Sequence, residues 1–188
     1  MSSDAVETTP DRSPVMQGVV VMTVFGLGWA LLAVSGLDLP VGALVALVVL
    51  AAAAAATSVV AAKRSLDRLP AHAGSGRTVL PDAGKRFHLV NAAQTTAIVV
   101  AVFALVRAEE APFIPAVVCA VVGAHFLPLA RIFGLPLYRW TGALLVLTAG
   151  AGALALVLGV GAGPARTAVG LPAALVLWGT ATVLARRG

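Results

Sequence analysis

Charge is scarce in this chain. Asp, Glu, Lys and Arg make up 11% of its 188 residues, 60% are hydrophobic, and the mean hydropathy is +0.98. Soluble domains carry about 45–50% apolar and about 25% charged residues, so a soluble fold is excluded. Cysteine occurs once, at Cys119, which rules out an intrachain disulfide and a CxxC redox pair. The acidic residues Asp4, Glu7, Asp11, Asp38, Asp67, Asp82, Glu109 and Glu110 all lie outside the long apolar stretches. Proton-driven pumps and many intramembrane hydrolases depend on a buried carboxylate, and here only histidine is left for that work. A phosphate loop is missing too: "GVGAG" at Gly159 to Gly163 has no strand before it and no Gly-Lys-Ser/Thr after it. No cofactor-binding or metal-binding motif is present. The pI of about 10.7 has no basic face of a polar domain to act through, so nucleic acid is not an expected partner.

What is present is length without charge. Six stretches lack Asp, Glu, Lys and Arg: Val15 to Leu37, Leu39 to Ala62, Phe87 to Val106, Ala111 to Ala130, Trp140 to Ala165 and Thr167 to Ala185. A hydrocarbon core of about 30 Å takes about 20 helical residues at 1.5 Å each. The unbroken runs exclude alternating β-barrel strands. An all-α bundle of six transmembrane helices is predicted, with spans at about 15–37, 39–62, 87–106, 111–130, 140–163 and 167–185. Residues 1–14 read as a disordered polar tail, 15–187 as the transmembrane domain, and 63–86 as a basic loop. The tail carries Asp4, Glu7 and Asp11 against Arg12, which is not the basic leader of a signal peptide, so the first helix is expected to be retained.

Arginine and lysine set the orientation. With the N-terminus inside, Arg12, Lys63, Arg64, Arg68, Arg77, Lys85, Arg86, Arg131, Arg139, Arg186 and Arg187 are cytoplasmic, leaving Arg107 and Arg166 outside. The positive-inside rule therefore places both termini in the cytoplasm. Ala, Val and Gly are abundant and Arg far outnumbers Lys, the bias of a high-GC bacterial genome, which points to a bacterial cytoplasmic membrane. The loop "KRSLDRLPAHAGSGRTVLPDAGKR" is a topology determinant that also suits anionic lipid headgroups, at about 1 kcal/mol per basic residue near the surface. His72 within it reads as solvated. In "GAHFLPLARIFGLPLYRW", Arg131, Tyr138, Arg139 and Trp140 are expected as interface anchors at the cytoplasmic headgroup level.

Polar residues crowd the cytoplasmic half of the predicted bundle. His88, Asn91 and Thr95 recur along one stripe of the third helix with Gln94 on its flank. Asn91 lies five residues in from Arg86 and His125 six in from Arg131, so both sit about 8 Å below the inner boundary. If the third and fourth helices form an antiparallel hairpin, His88, Asn91, Gln94, Thr95 and His125 make a candidate polar pocket. Pro128 leaves the Ala124 carbonyl free beside it. The alternative is that these groups satisfy one another across the helix interface. The run Ala51 to Ala56 is expected to face protein, since small side chains permit close helix approach.

The segment "HFLPLARIFGLPLY" resembles a stretch in small six-helix bacterial integral membrane proteins of unassigned function. The resemblance implies a polytopic inner-membrane protein and transfers no residue roles. Three classes stay open: a small-solute carrier or permease with a cytoplasm-facing polar pocket, a non-catalytic accessory or immunity-type protein, and an intramembrane enzyme using His88 or His125 as a general base. The carrier ranks first and the enzyme last.

Overall fold

The computed structural model describes residues 13–68 and 82–187, so the tail before Ser13 and the loop residues 69–81, His72 and Arg77 among them, lie outside the described residues. Among the described residues every regular element is helical: α1 (Ser13–Val34), α2 (Val41–Arg68), α3 (Ala83–Arg107), a single 3-10 turn at Ala111–Phe113, α4 (Ile114–Ile132), α5 (Pro136–Val157) and α6 (Ala162–Arg187). Five stretches are long and apolar enough to cross a membrane: Val41–Ala61, Ala83–Arg107, Ala111–Ile132, Pro136–Val157 and Ala162–Arg186. α1 adds a shorter apolar segment, Gly18–Val34. The chain is a multi-pass helical membrane protein.

Helix ends follow backbone chemistry more closely than charge. α5 stops at Val157 because Gly159 adopts φ +82, with its N–H donating to the Leu156 carbonyl and that of Val160 to Ala155. This pairing is a Schellman cap. α4 ends in the same way, through Gly134 at φ 59. So "GVGAG", expected as the outer end of the fifth helix, instead divides between the α5–α6 turn and the opening of α6. At the other margin α2 continues to Arg68 and α3 starts at Ala83. Lys63, Arg64, Lys85 and Arg86, expected in the basic loop, therefore ride on helix.

α1 runs antiparallel to α6, and α4 to α5. Along α1 and α6, Gly18 lies near Leu184, Gly26 under Trp178, Ala33 against Gly170, and Gly36 against Gly163. The first and last described helices thus begin and end at the same end of the bundle. Side chains from α1, α4, α5 and α6 supply most of the core, including Val19, Cys119, Leu145, Val169 and Leu177. Lipid tails are as apolar as leucine, so packing here is gained by close approach. Glycine provides it: a Cβ on Gly142 would lie 2.6 Å from the Gly123 carbonyl oxygen, and one on Gly123 would lie 2.8 Å from that of Gly142. A Cβ on Gly170 would meet the Trp29 carbonyl oxygen at 2.6 Å.

α2 and α3 are peripheral. α2 packs on α1 and α6, and of its small-residue run only Ala55 is buried, with Ala51 half-buried and Ala52, Ala53, Ala54 and Ala56 exposed. α3 packs on α4 and the 3-10 turn, and none of its residues is buried.

Candidate functional site

In the interior, polar side chains pair across helix interfaces. The Thr141 and Thr180 hydroxyls lie 2.8 Å apart between α5 and α6, and each is within reach of a carbonyl of its own preceding turn, Leu137 or Val176; with one proton each, one hydroxyl donates to the other while that other donates to its own helix. Thr167 of α6 donates to the Ala33 carbonyl of α1 at 2.8 Å, and Trp178 Nε1 to the Thr23 carbonyl at 3.2 Å. Trp178 reaches that carbonyl because Gly26 has no Cβ; one built there would sit 2.5 Å from Nε1. Cys119 Sγ donates to the Leu145 carbonyl of α5 at 3.3 Å. These contacts satisfy groups that would be costly to leave unpaired away from water. Thr141 lies two residues from Arg139 and Thr180 six from Arg186, so counting along the chain puts both near one end of the bundle, but it does not tell which way either side chain faces.

The predicted pocket assembles differently. α3 turns Ala83, Phe87, Val90, Gln94, Ile98, Ala101 and Leu105 toward α4, all half-buried at spacings of three or four. Phe87 meets Phe133 edge-on at 5.8 Å between ring centroids. Gln94 thus belongs to the packed stripe. His88, Asn91 and Thr95 are exposed on its flank, because they lie about 55–115° around the helix from the packed face at 100° per residue. His125 is half-buried on α4; its imidazole faces the backbone of Val90 on α3, and its Nδ1 is enclosed without a hydrogen-bond partner. α3 and His125 therefore do meet, through the backbone beside Asn91. Among the described residues no hydrogen bond joins the side chains of His88, Asn91, Gln94, Thr95 and His125.

The expected anchors separate into two kinds. Arg131 closes α4 and Arg139 lies in the first turn of α5, both exposed, with Trp140 70% exposed beside them. Tyr138, expected at the headgroup level, turns inward instead. It is 7% exposed and stacks edge-on against Phe126 at 5.5 Å. The Gly134 turn and the helix start at Pro136 rotate it under the bundle. Above it, an open groove of about 370 Å³ runs between α5 and α6, lined by Leu137, Trp140, Leu144, Leu175, Gly179 and Val183 among others, with the Thr141–Thr180 pair at its floor. Its walls are apolar.

The outer surface of α3 changes character along its length. Between Asn91 and Ala97 the exposed residues are small or polar, namely Asn91, Ala92, Ala93, Thr95, Thr96 and Ala97; to either side large apolar ones are exposed, Leu89 before and Val99, Val100, Phe103 and Val106 after. The large apolar residues suit lipid. The small and polar stretch does not, and of it Asn91 and Thr95 are expected from the sequence in an interior pocket. Among the described residues, groups of three or more His, Cys, Asp or Glu able to hold a metal ion do not occur. No protein-family model, curated protein or solved structure matches the chain, so what it does is argued from this geometry.

Proposed function

We propose that this chain is a non-catalytic, accessory-type protein of the bacterial cytoplasmic membrane that acts by binding a membrane helix side-on along the first half of α3. The carrying observation is the exposed face formed by Asn91, Ala92, Thr95 and Thr96, which share one side of the helix at 100° per residue. Small side chains admit a neighbouring backbone, and amide and hydroxyl groups hydrogen-bond across helices. Against lipid alone the Asn91 amide is left without partners, at a cost of several kcal/mol per unsatisfied group. Of the other two classes, the carrier draws support from the enclosed Nδ1 of His125. The interior threonines, Trp178 and Cys119, however, are engaged in helix packing. The enzyme class has no second group oriented on either histidine.

The same reading has six membrane crossings, α1 included because it lies along the length of α6, with both termini cytoplasmic and the 69–82 connection facing anionic headgroups. Reporter fusions at His72 and after Arg187 are expected to behave as cytoplasmic, and those at Asp38, Glu110 and Gly163 as external. An external signal at His72 overturns the orientation. For the binding face, a photoreactive residue at Ala92, activated in native membranes, is expected to give a polypeptide adduct. Labelling confined to lipid overturns the proposal.

A further inference from the structure

We infer that the helix seated on α3 is α3 of a second copy, so that the protein is a two-fold dimer joined in the membrane along Asn91, Ala92, Thr95 and Thr96. This rests on the side-on binding reading above and names its partner.

The exposed side of α3 carries unmet hydrogen-bonding capacity. Thr23, Thr57, Thr141, Thr180 and Thr182 turn their hydroxyls back onto carbonyls of their own helices. Thr95 and Thr96 make no such bond, and neither does the Asn91 amide, among the described residues. Asn91 lies five residues inside Arg86, about 8 Å along the helix and within the hydrocarbon. A lipid tail offers it neither donor nor acceptor. An amide carries both and is therefore its own complement.

Membrane geometry then selects the second copy. Two copies in one bilayer share an orientation, so a two-fold axis along the membrane normal brings equal depths together and sets Asn91 opposite the second copy's Asn91. A self-complementary patch of this kind closes as an isologous dimer, and a buried Asn pair between helices fixes register. The spacing permits the approach, because Ala92 and Thr96, on the same side as Asn91 and Thr95, are small residues four apart. The other exposed small run, Ala52 to Ala54 and Ala56 on α2, fits less well: it carries no amide, and its neighbour Thr57 already donates to Ala54 at 3.0 Å. Below this patch Val99, Val100 and Phe103 return to a lipid-facing composition. The seam is confined to one half of the helix.

Cysteine cross-linking in native membranes tests it, in the full chain carrying Cys119→Ser, which keeps a donor toward Leu145. Thr96→Cys is expected to give a covalent dimer on oxidation, and Ala53→Cys on α2 none. Asn91→Leu added to Thr96→Cys should lower the dimer yield about three- to tenfold, the range of a single interhelical hydrogen bond, while Asn91→Gln restores most of it. Thermal melting of each variant separates lost association from lost folding. No dimer from Thr96→Cys in folded protein, or a dimer from Ala53→Cys in its place, overturns the proposal. If the Ala92 photo-adduct is a different polypeptide and no dimer forms, side-on binding stands and self-association falls. Lipid-only labelling removes both.

Discussion

α3 and α4 are neighbours in sequence and in space, of comparable length and apolarity, yet they are opposites in packing. α4 buries Ala116, Cys119, Val122, Gly123, Phe126, Leu129, Ala130 and Ile132, while α3 buries nothing. The difference is one of partners. α4 lies between α3 and α5 and touches α6, so most of its circumference is covered; α3 leans on α4 along a single stripe. In water such a helix would betray itself by a polar outer face. In lipid the exposed face is apolar by default, so exposure becomes visible only where small and polar residues interrupt it, as they do from Asn91 to Ala97. Apolarity tells where a helix lives, and side-chain size and hydrogen-bonding capacity tell what it touches.

The contrast breaks most sharply at the glycines. Gly142→Leu drives a side chain into the Gly123 carbonyl and the wall of Phe126. We expect it to destabilise the protein by about 3 kcal/mol, the upper range for overpacking, with loss of monodisperse protein in mild detergent. Ala92→Leu on α3 is expected to leave the melting temperature nearly unchanged while abolishing the Thr96→Cys cross-link. If the two behave alike on melting, the division into packed core and peripheral helix is wrong.

α2 repeats the contrast within a single helix. Leu at both Ala51 and Ala55, of which Ala55 is 7% exposed, is expected to cost about 1–3 kcal/mol by overpacking. Leu at both Ala53 and Ala54, on the exposed side, should stay within about 0.5 kcal/mol. Equal tolerance in thermal unfolding places the entire run against lipid.

The smallest effect sharpens the comparison inside the core. A double-mutant cycle of Thr141→Val and Thr180→Val is expected to show a coupling of about 0.6 kcal/mol and no more than about 1.7 kcal/mol. Each hydroxyl can donate to a carbonyl of its own helix when the other is removed, at Leu137 or Val176, so neither single change orphans a buried group. A coupling near zero would mean that the 2.8 Å approach contributes nothing to holding α5 on α6.

By itself the sequence determined the apolar solvent and the all-helical class, because hydrocarbon thickness, rise per residue and the scarcity of charge leave little freedom. It also placed Arg131, Arg139 and Trp140 at an exposed inter-helix turn. Rotation about each helix axis was decided only in the tertiary structure. A sequence in which nearly every face is apolar carries no amphipathic stripe from which to read the inward direction. Hence Asn91 and Thr95, read as lining an interior pocket, sit on the outer flank of α3, while Gln94 takes the packed position. Hence also Tyr138 lies under the bundle and Trp140, two residues on, outside it. The boundaries of α5 and α6 were legible in principle, since Gly159 is where a left-handed backbone costs least, but a search for uncharged length passes over a glycine that ends a helix. Which helices touch was settled by backbone approach at Gly123, Gly142, Gly170 and Gly36, a property of pairs of residues far apart in the chain and therefore absent from any single stretch of it.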